Sequence, residues 1–283
     1  MNKILVIADA SIEKNIAISE GDKLAKAYDA TMHIVYFFHE DLRGLGQKGE
    51  AFKKSILSRL EEKANDQLAQ YADNNRYTYE VVWEKHVDQW TIDYCQSHDP
   101  IMVLKTGHRS ERLFYTPTDW QLIRYCPAPV FLLSEEKWKR ADDILAAVDL
   151  STKIEDKQAL NHTILAKAKE LATKLDVNVQ VCYTPLFSTF LRDLGLQYKD
   201  EIEVETEKTM APLIAELSAK YQIPVENFHI KAGKPEQVIP STAAKLRTGI
   251  VVVGSVGRKE KLLGSTAEKI LGLLKTDVMV LKP

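Results

Sequence analysis

Short runs of branched apolar residues alternate along this chain with stretches whose apolar residues recur at helical spacing. Phe52, Ile56, Leu60, Ala64, Leu68 and Tyr71 form one such stripe, and Ala159, Leu160, Ile164, Ala168, Leu171, Ala172 and Leu175 form a second. Met210, Leu213, Ile214, Leu217 and Tyr221 form a third, so each segment predicts an amphipathic helix. The runs between them, such as Val251-Val252-Val253, are apolar without alternation. That predicts strands buried on both faces. Strand and helix in turn imply a parallel sheet covered by helices on both sides, an α/β doubly wound fold. Such sheets bind ligands beyond the carboxyl ends of their strands, where the strand order reverses.

The pattern occurs twice. "KILVIADAS" from Lys3 matches "DILAAVDLS" from Asp143, which sets Asp9 against Asp149. "MHIVYFF" matches "VQVCYTP", and "YEVVWEK" matches "NFHIKAG". "IMVLKTGHRSERLF" from Ile101 lies over "IVVVGSVGRKEKLL" from Ile250, and "APVFLLS" from Ala128 over "DVMVLKP" from Asp277. Two copies of one unit are therefore expected, residues 1–136 and 141–283, joined through the polar stretch Ser134 to Asp142.

Composition narrows the function classes. A formal net charge of -2 supplies no field to attract nucleic acid or an anionic membrane. Three scattered cysteines, Cys95, Cys126 and Cys182, fit a reducing compartment rather than a disulfide framework. The first residues do not read as a signal peptide, and no apolar stretch approaches a membrane span. A cytoplasmic protein is the expectation.

Chemistry is sought at the strand ends. After "ILAAV" come Asp149, Leu150 and Ser151. An aspartate there can accept from ribose hydroxyls or hold a magnesium ion beside phosphates, and it can equally cap the next helix, as Ser151 could alone. After "IVVV" come Gly254 and Gly257, then Gly264-Ser265-Thr266 where a helix begins. Bare backbone, hydroxyl donors and a helix N-terminus together make a phosphate cradle, and turn glycines without a ligand remain the other reading. The spacing is neither the Walker pattern nor the dinucleotide fingerprint. In the first copy Lys105 falls on Gly254 and His108 on Gly257. The first copy keeps its strand without those glycines, a contrast that favours a ligand role in the second.

"AAVDLS", the closing "GSVGRKEKLLGSTAEKIL…VMVLKP" and "TPTDWQLIRYCPAPV" together resemble the universal stress proteins, and the two copies look like the tandem E-type members. The resemblance spans nearly the whole chain and implies two tandem Rossmann-like domains packed as an internal pseudo-dimer. Nucleotide-binding members of the family carry Gly-x2-Gly-x9-Gly-Ser/Thr after the fourth strand. Gly254, Gly257, Gly264, Ser265 and Thr266 fall on it, although six residues rather than nine separate Gly257 from Gly264. The resemblance thus implies an adenine nucleotide (ATP, ADP or AMP) in the second domain, held by Val148, Asp149, Thr184, Gly254, Ser255, Gly257, Gly264, Ser265 and Thr266. Thr184 sits where the family meets adenine through backbone, and Asp149 would carry Mg²⁺ through the nucleotide. The first domain is then a degenerate, non-binding partner, and a further homodimer through the last strand is an open expectation.

Other constellations carry less. Cys95 and His98 have ligand spacing on a helix, but zinc needs more ligands and no second local pair exists. Tryptophans, Trp83, Trp90 and Trp120 among them, gather in the first copy, as core or as the lining of an apolar cavity. "TPTDW" reads as a helix start with proline in its first turn. No local catalytic triad is visible, so the alternatives to a stress-responsive binding module are a slow Mg-dependent ATPase and a module whose first domain binds an apolar molecule or partner protein.

Overall fold

The computed structural model describes residues 2–9, 15–71, 76–107, 117–134, 143–188, 190, 193–255, 270, 274 and 276–283. These divide into two compact units, one holding the described residues up to 134 and the other those from 143 onward. No helix among them is long and apolar enough to cross a membrane.

The first unit runs β1 (Lys3–Ala8), α1 (Ile16–Tyr28), β2 (Thr31–Phe38), a 3-10 turn (Arg43–Lys48), α2 (Gly49–Leu68), β3 (Tyr77–Trp83), α3 (Val87–His98), β4 (Met102–Thr106), α4 (Pro117–Tyr125) and β5 (Val130–Leu133). Its strands are ordered β3-β2-β1-β4-β5 and every neighbouring pair is parallel. Ile4, Leu5 and Val6 are wholly buried, as their unbroken apolar run predicts. Each such side chain contributes roughly 1.5–3 kcal/mol of burial. Helices cover both faces. A side chain added at Gly21 of α1 would meet Leu104 of β4, while the next residue, Lys105, reaches Asp119 of α4 at 2.8 Å. Consecutive strand residues point to opposite faces, so α1 and α4 lie on opposite sides.

The second unit repeats the plan with β6 (Ile144–Val148), α5 (Glu155–Leu175), β7 (Val179–Tyr183), α6 (Lys199–Tyr221), β8 (Phe228–Ile230), α7 (Pro235–Leu246), β9 (Ile250–Gly254) and β10 (Asp277–Leu281). The order is β8-β7-β6-β9-β10, again all parallel. The three helical stripes fall on α2, α5 and α6, and α4 begins at Pro117.

The structure shifts one internal match. The N–H of Gly107 donates to the carbonyl of Leu133 at 2.9 Å, and the N–H of Ser255 to that of Leu281 at 2.8 Å. Ile4 faces Met102 just as Ile144 faces Ile250. Thr106, not Lys105, therefore occupies the place of Gly254, and Lys105 matches Val253.

Candidate functional site

In the second unit the order reverses between β6 and β9. Their ladder ends at Ala146↔Val252. Beyond it β6 stays with β7 to Val148↔Tyr183, and β9 stays with β10 to Leu281↔Gly254. The two strands thus part from one another over their last two residues, opening a crevice at their carboxyl ends, where a doubly wound sheet takes its ligand. Val148, Asp149, Gly254 and Ser255 all stand at its mouth. Gly257, Gly264, Ser265 and Thr266 lie outside the described residues.

Asp149 does not cap a helix. α5 begins at Glu155, and its N-cap is Ile154, with no side-chain capping hydrogen bond. The backbone of Asp149 is instead gripped from α5. Asn161 accepts the Asp149 N–H on Oδ1 at 3.0 Å and donates from Nδ2 to the Asp149 carbonyl at 2.7 Å. The carboxylate stays exposed, accepts from the Ser151 hydroxyl at 3.1 Å and has Lys157 Nζ at 3.8 Å. A fixed backbone with an outward carboxylate beside an ammonium is an arrangement that can meet both a sugar hydroxyl and an anionic group. In the first unit Asn15 Nδ2 likewise donates to the carbonyl of Asp9, at 3.0 Å.

Gly254 has a packing reason for being bare. A Cβ there would lie 2.7 Å from Leu160 Cγ and 3.0 Å from Ile164 Cδ1, both on α5. Thr106 stands at the equivalent place in the first unit, beside a helix α1 that differs from α5. Both helices end on a left-handed aspartate, Asp29 and Asp176, and aligning those ends sets Ala17 against Ile164. α1 starts at Ile16 after an extended Asn15, whereas α5 continues about two turns further back, over the end of β9. Ser255 is buried and its N–H belongs to the sheet through Leu281.

Thr184 follows β7. The carbonyls on either side, of Tyr183 and Pro185, accept N–H groups of Lys231 and Gly233 on the β8 side. Successive residues of an extended strand present backbone groups to opposite neighbours, so those of Thr184 turn toward β6, past the last rung of that ladder. Its hydroxyl lies 3.9 Å from the sulfur of Cys182, a thiol whose pKa is pushed up by burial.

The remaining candidates disperse. Cys95 is buried with its sulfur 3.6 Å from that of Cys126, while His98 is exposed and stacks on Tyr94 at 4.1 Å. They do not converge on a common point, and no cluster of metal-ligating side chains occurs among the described residues. Trp83 and Trp90 are half-buried rather than core, edge-on to Phe38 and Phe37. A cavity of about 710 Å³ beside Trp83 is lined chiefly by charged groups, among them Glu40, Asp41, Arg43, Lys53 and Lys85, not by apolar ones. Asn161 and Lys157 are the site residues that sequence reasoning passed over, and Ser151, read there as a possible helix cap, donates to the Asp149 carboxylate instead. An amide one position after Leu160, in an otherwise amphipathic stripe, was their one local signal.

Known proteins agree with this architecture. The model of the universal stress protein family matches residues 1–134 and again 141–282. Universal stress protein E of Escherichia coli K12 is 29% identical over 266 residues, covering 88% of this chain and 83% of that one. The Haemophilus influenzae homologue of that protein is 25% identical over 99% of this chain and 97% of its own. A universal stress protein from Pseudomonas aeruginosa UCBPP-PA14 superposes with a TM-score of 0.75 at 23% identity, covering 100% of this chain and 94% of its own. With the family model matched once in each half and the same strand order in both, the chain belongs to the universal stress protein family.

Proposed function

We propose that the second unit binds an adenine nucleotide at the β6/β9 crevice, with Mg²⁺ carried on its phosphates, and that the chain serves as a cytoplasmic stress-responsive binding module. The observation that carries this reading is Asp149: exposed, held by backbone through Asn161, and free of any capping duty at the point where the strands part. The described residues fit the nucleoside end. The Asp149 carboxylate can accept from ribose hydroxyls, the Thr184 backbone can meet the adenine edge, and the Lys157 ammonium can approach a phosphate. Mg²⁺, when bound, would neutralise phosphate charge beside the Asp149 carboxylate. The phosphate end falls to Gly257, Gly264, Ser265 and Thr266, since the bare backbone of Gly254 is filled by α5 and the Ser255 N–H by β10.

Calorimetric titration with Mg-ATP tests the reading. Saturable binding at one site per chain is expected, abolished in Gly257→Val and weakened roughly tenfold in Asp149→Ala, the loss of one charge-assisted contact. Absence of binding, or equal binding by the Gly257→Val protein, overturns it.

A further inference from the structure

A second concavity of the second unit lies away from the crevice, at the edge strand β8, with β7 between the two. It encloses about 620 Å³. Four ammonium groups and an imidazole line it, from Lys199, Lys231, Lys234, Lys245 and His229, and among the described residues no acidic side chain does. The other polar lining side chains, Gln237, Ser241 and Thr242 of α7, can all donate. In a chain of net charge -2, that segregation of one sign into a single groove stands out from the bulk composition.

Internal neutralisation is incomplete. Glu203 of α6 is a neighbouring carboxylate, and it is already engaged, with Lys231 Nζ at 2.9 Å and the N–H of Ala232 at 2.9 Å. Lys199 stands 3.9 Å from the same carboxylate. Lys234 and Lys245 make no ion pair among the described residues and are exposed to solvent. His229 Nε2 lies 2.7 Å from Gln180 Oε1. Its pKa is held below the ordinary histidine value by burial first, then by the charges of Lys231 and Lys245. Lys234 and Lys245 mark the two ends of α7, eleven residues apart, or roughly 16 Å along a helix.

We propose that this groove is a second anion site, built for an elongated small molecule carrying several phosphate groups. The spread of the lysines suits charge distributed along a chain better than a single phosphate. Its small volume and the overall negative charge of the protein disfavour nucleic acid, which needs a longer basic track. Binding would neutralise Lys234 and Lys245 at the ends while the hydroxyls of Ser241 and Thr242 donate between them. The site is independent of the nucleotide reading and stands whether or not the crevice binds ATP.

The test is calorimetric titration of the full chain with sodium tripolyphosphate, alone and after saturation with Mg-ATP. One site per chain is expected, persisting under ATP and in Gly257→Val, and weakening as NaCl is raised, because exposed charges are screened. The double variant Lys234→Gln with Lys245→Gln should lower the affinity roughly tenfold or more while leaving the far-ultraviolet circular dichroism and Mg-ATP titration of the protein unchanged. Tripolyphosphate that fails to bind the wild-type chain overturns the proposal. So does tripolyphosphate that is displaced by ATP, or lost in Gly257→Val but kept in the lysine variant, since it would then be entering the crevice.

Discussion

At the scale of single residues, Gly254 has a packing reason for being bare that the sequence alone does not show. A glycine after a buried strand suggests a ligand, yet here the nearest atoms to its missing Cβ are the Leu160 and Ile164 side chains. Gly254→Ala should therefore destabilise the protein by about 2 kcal/mol, within the range for overpacking a dense site. Leu160→Ala alone should cost about 2–5 kcal/mol by opening a cavity. Combined, the two should cost less than their sum by about 1 kcal/mol or more, because the alanine methyl enters space that the leucine vacated. Urea denaturation of the three variants measures the coupling, and simple additivity would show that Leu160 is not what excludes a side chain there. Asp149 was legible from sequence because a polar residue ends an apolar run. Asn161 was not, because a polar residue on an amphipathic helix reads as solvated face until the fold brings it against a residue twelve positions earlier.

At the scale of elements, the existence and type of the main strands and helices were plain in the sequence, whereas their ends and register were not. The register slip at β4 and β9 arises because a parallel strand buried on both faces is apolar at every position, so no alternation fixes which residue lies opposite which. Val251, Val252 and Val253 are interchangeable to a reader of the sequence, and the ladder to Ile144, Leu145 and Ala146 is what sets them. Helix ends were hidden for a different reason. α1, α3, α5, α6 and α7 each stop on a left-handed residue, namely Asp29, Asp99, Asp176, Gln222 and Arg247, and none is the glycine that usually signals such a stop. Left-handed backbone costs a residue with a Cβ about 1–2 kcal/mol, less for aspartate, whose side chain bonds locally. Gln222→Gly and Arg247→Gly should each stabilise the fold by about 1 kcal/mol, after part of the gain is offset by the greater freedom of glycine in the unfolded chain. Asp99→Gly should gain less. Thermal melts of the three variants check the order, and a loss of stability on Gln222→Gly would mean that its side chain does something in the fold beyond ending α6.

At the scale of the whole molecule, duplication followed by divergence puts the same strand order into both halves and unequal chemistry at the two switch points. Both copies keep an aspartate after the first strand and an asparagine that holds its carbonyl. The first copy turns Lys105 inward to Asp119, an ion pair with side chains 11% and 0% exposed, where the second has Val253. A buried pair of that kind contributes little net stability and is costly to break. It commits its charges to the fold and leaves them unavailable to a ligand. The second copy instead has a lysine of different origin, Lys157 of α5, at the surface 3.8 Å from Asp149. If the nucleotide reading holds, ligand should therefore protect one half of the chain only. Hydrogen exchange followed by mass spectrometry on the full chain reads this directly. Saturating Mg-ATP at about a hundred times its dissociation constant stabilises a bound unit by roughly 2.7 kcal/mol, which slows opening of that unit about a hundredfold. Slowed exchange is expected in peptides covering residues 148–154, 184–188 and 250–255. Residues 8–9, 38–42 and 104–107, which hold the corresponding strand ends of the first unit, should exchange as they do without ligand. Equal protection of both sets would mean that the first copy also binds, and that its buried lysine does not close it.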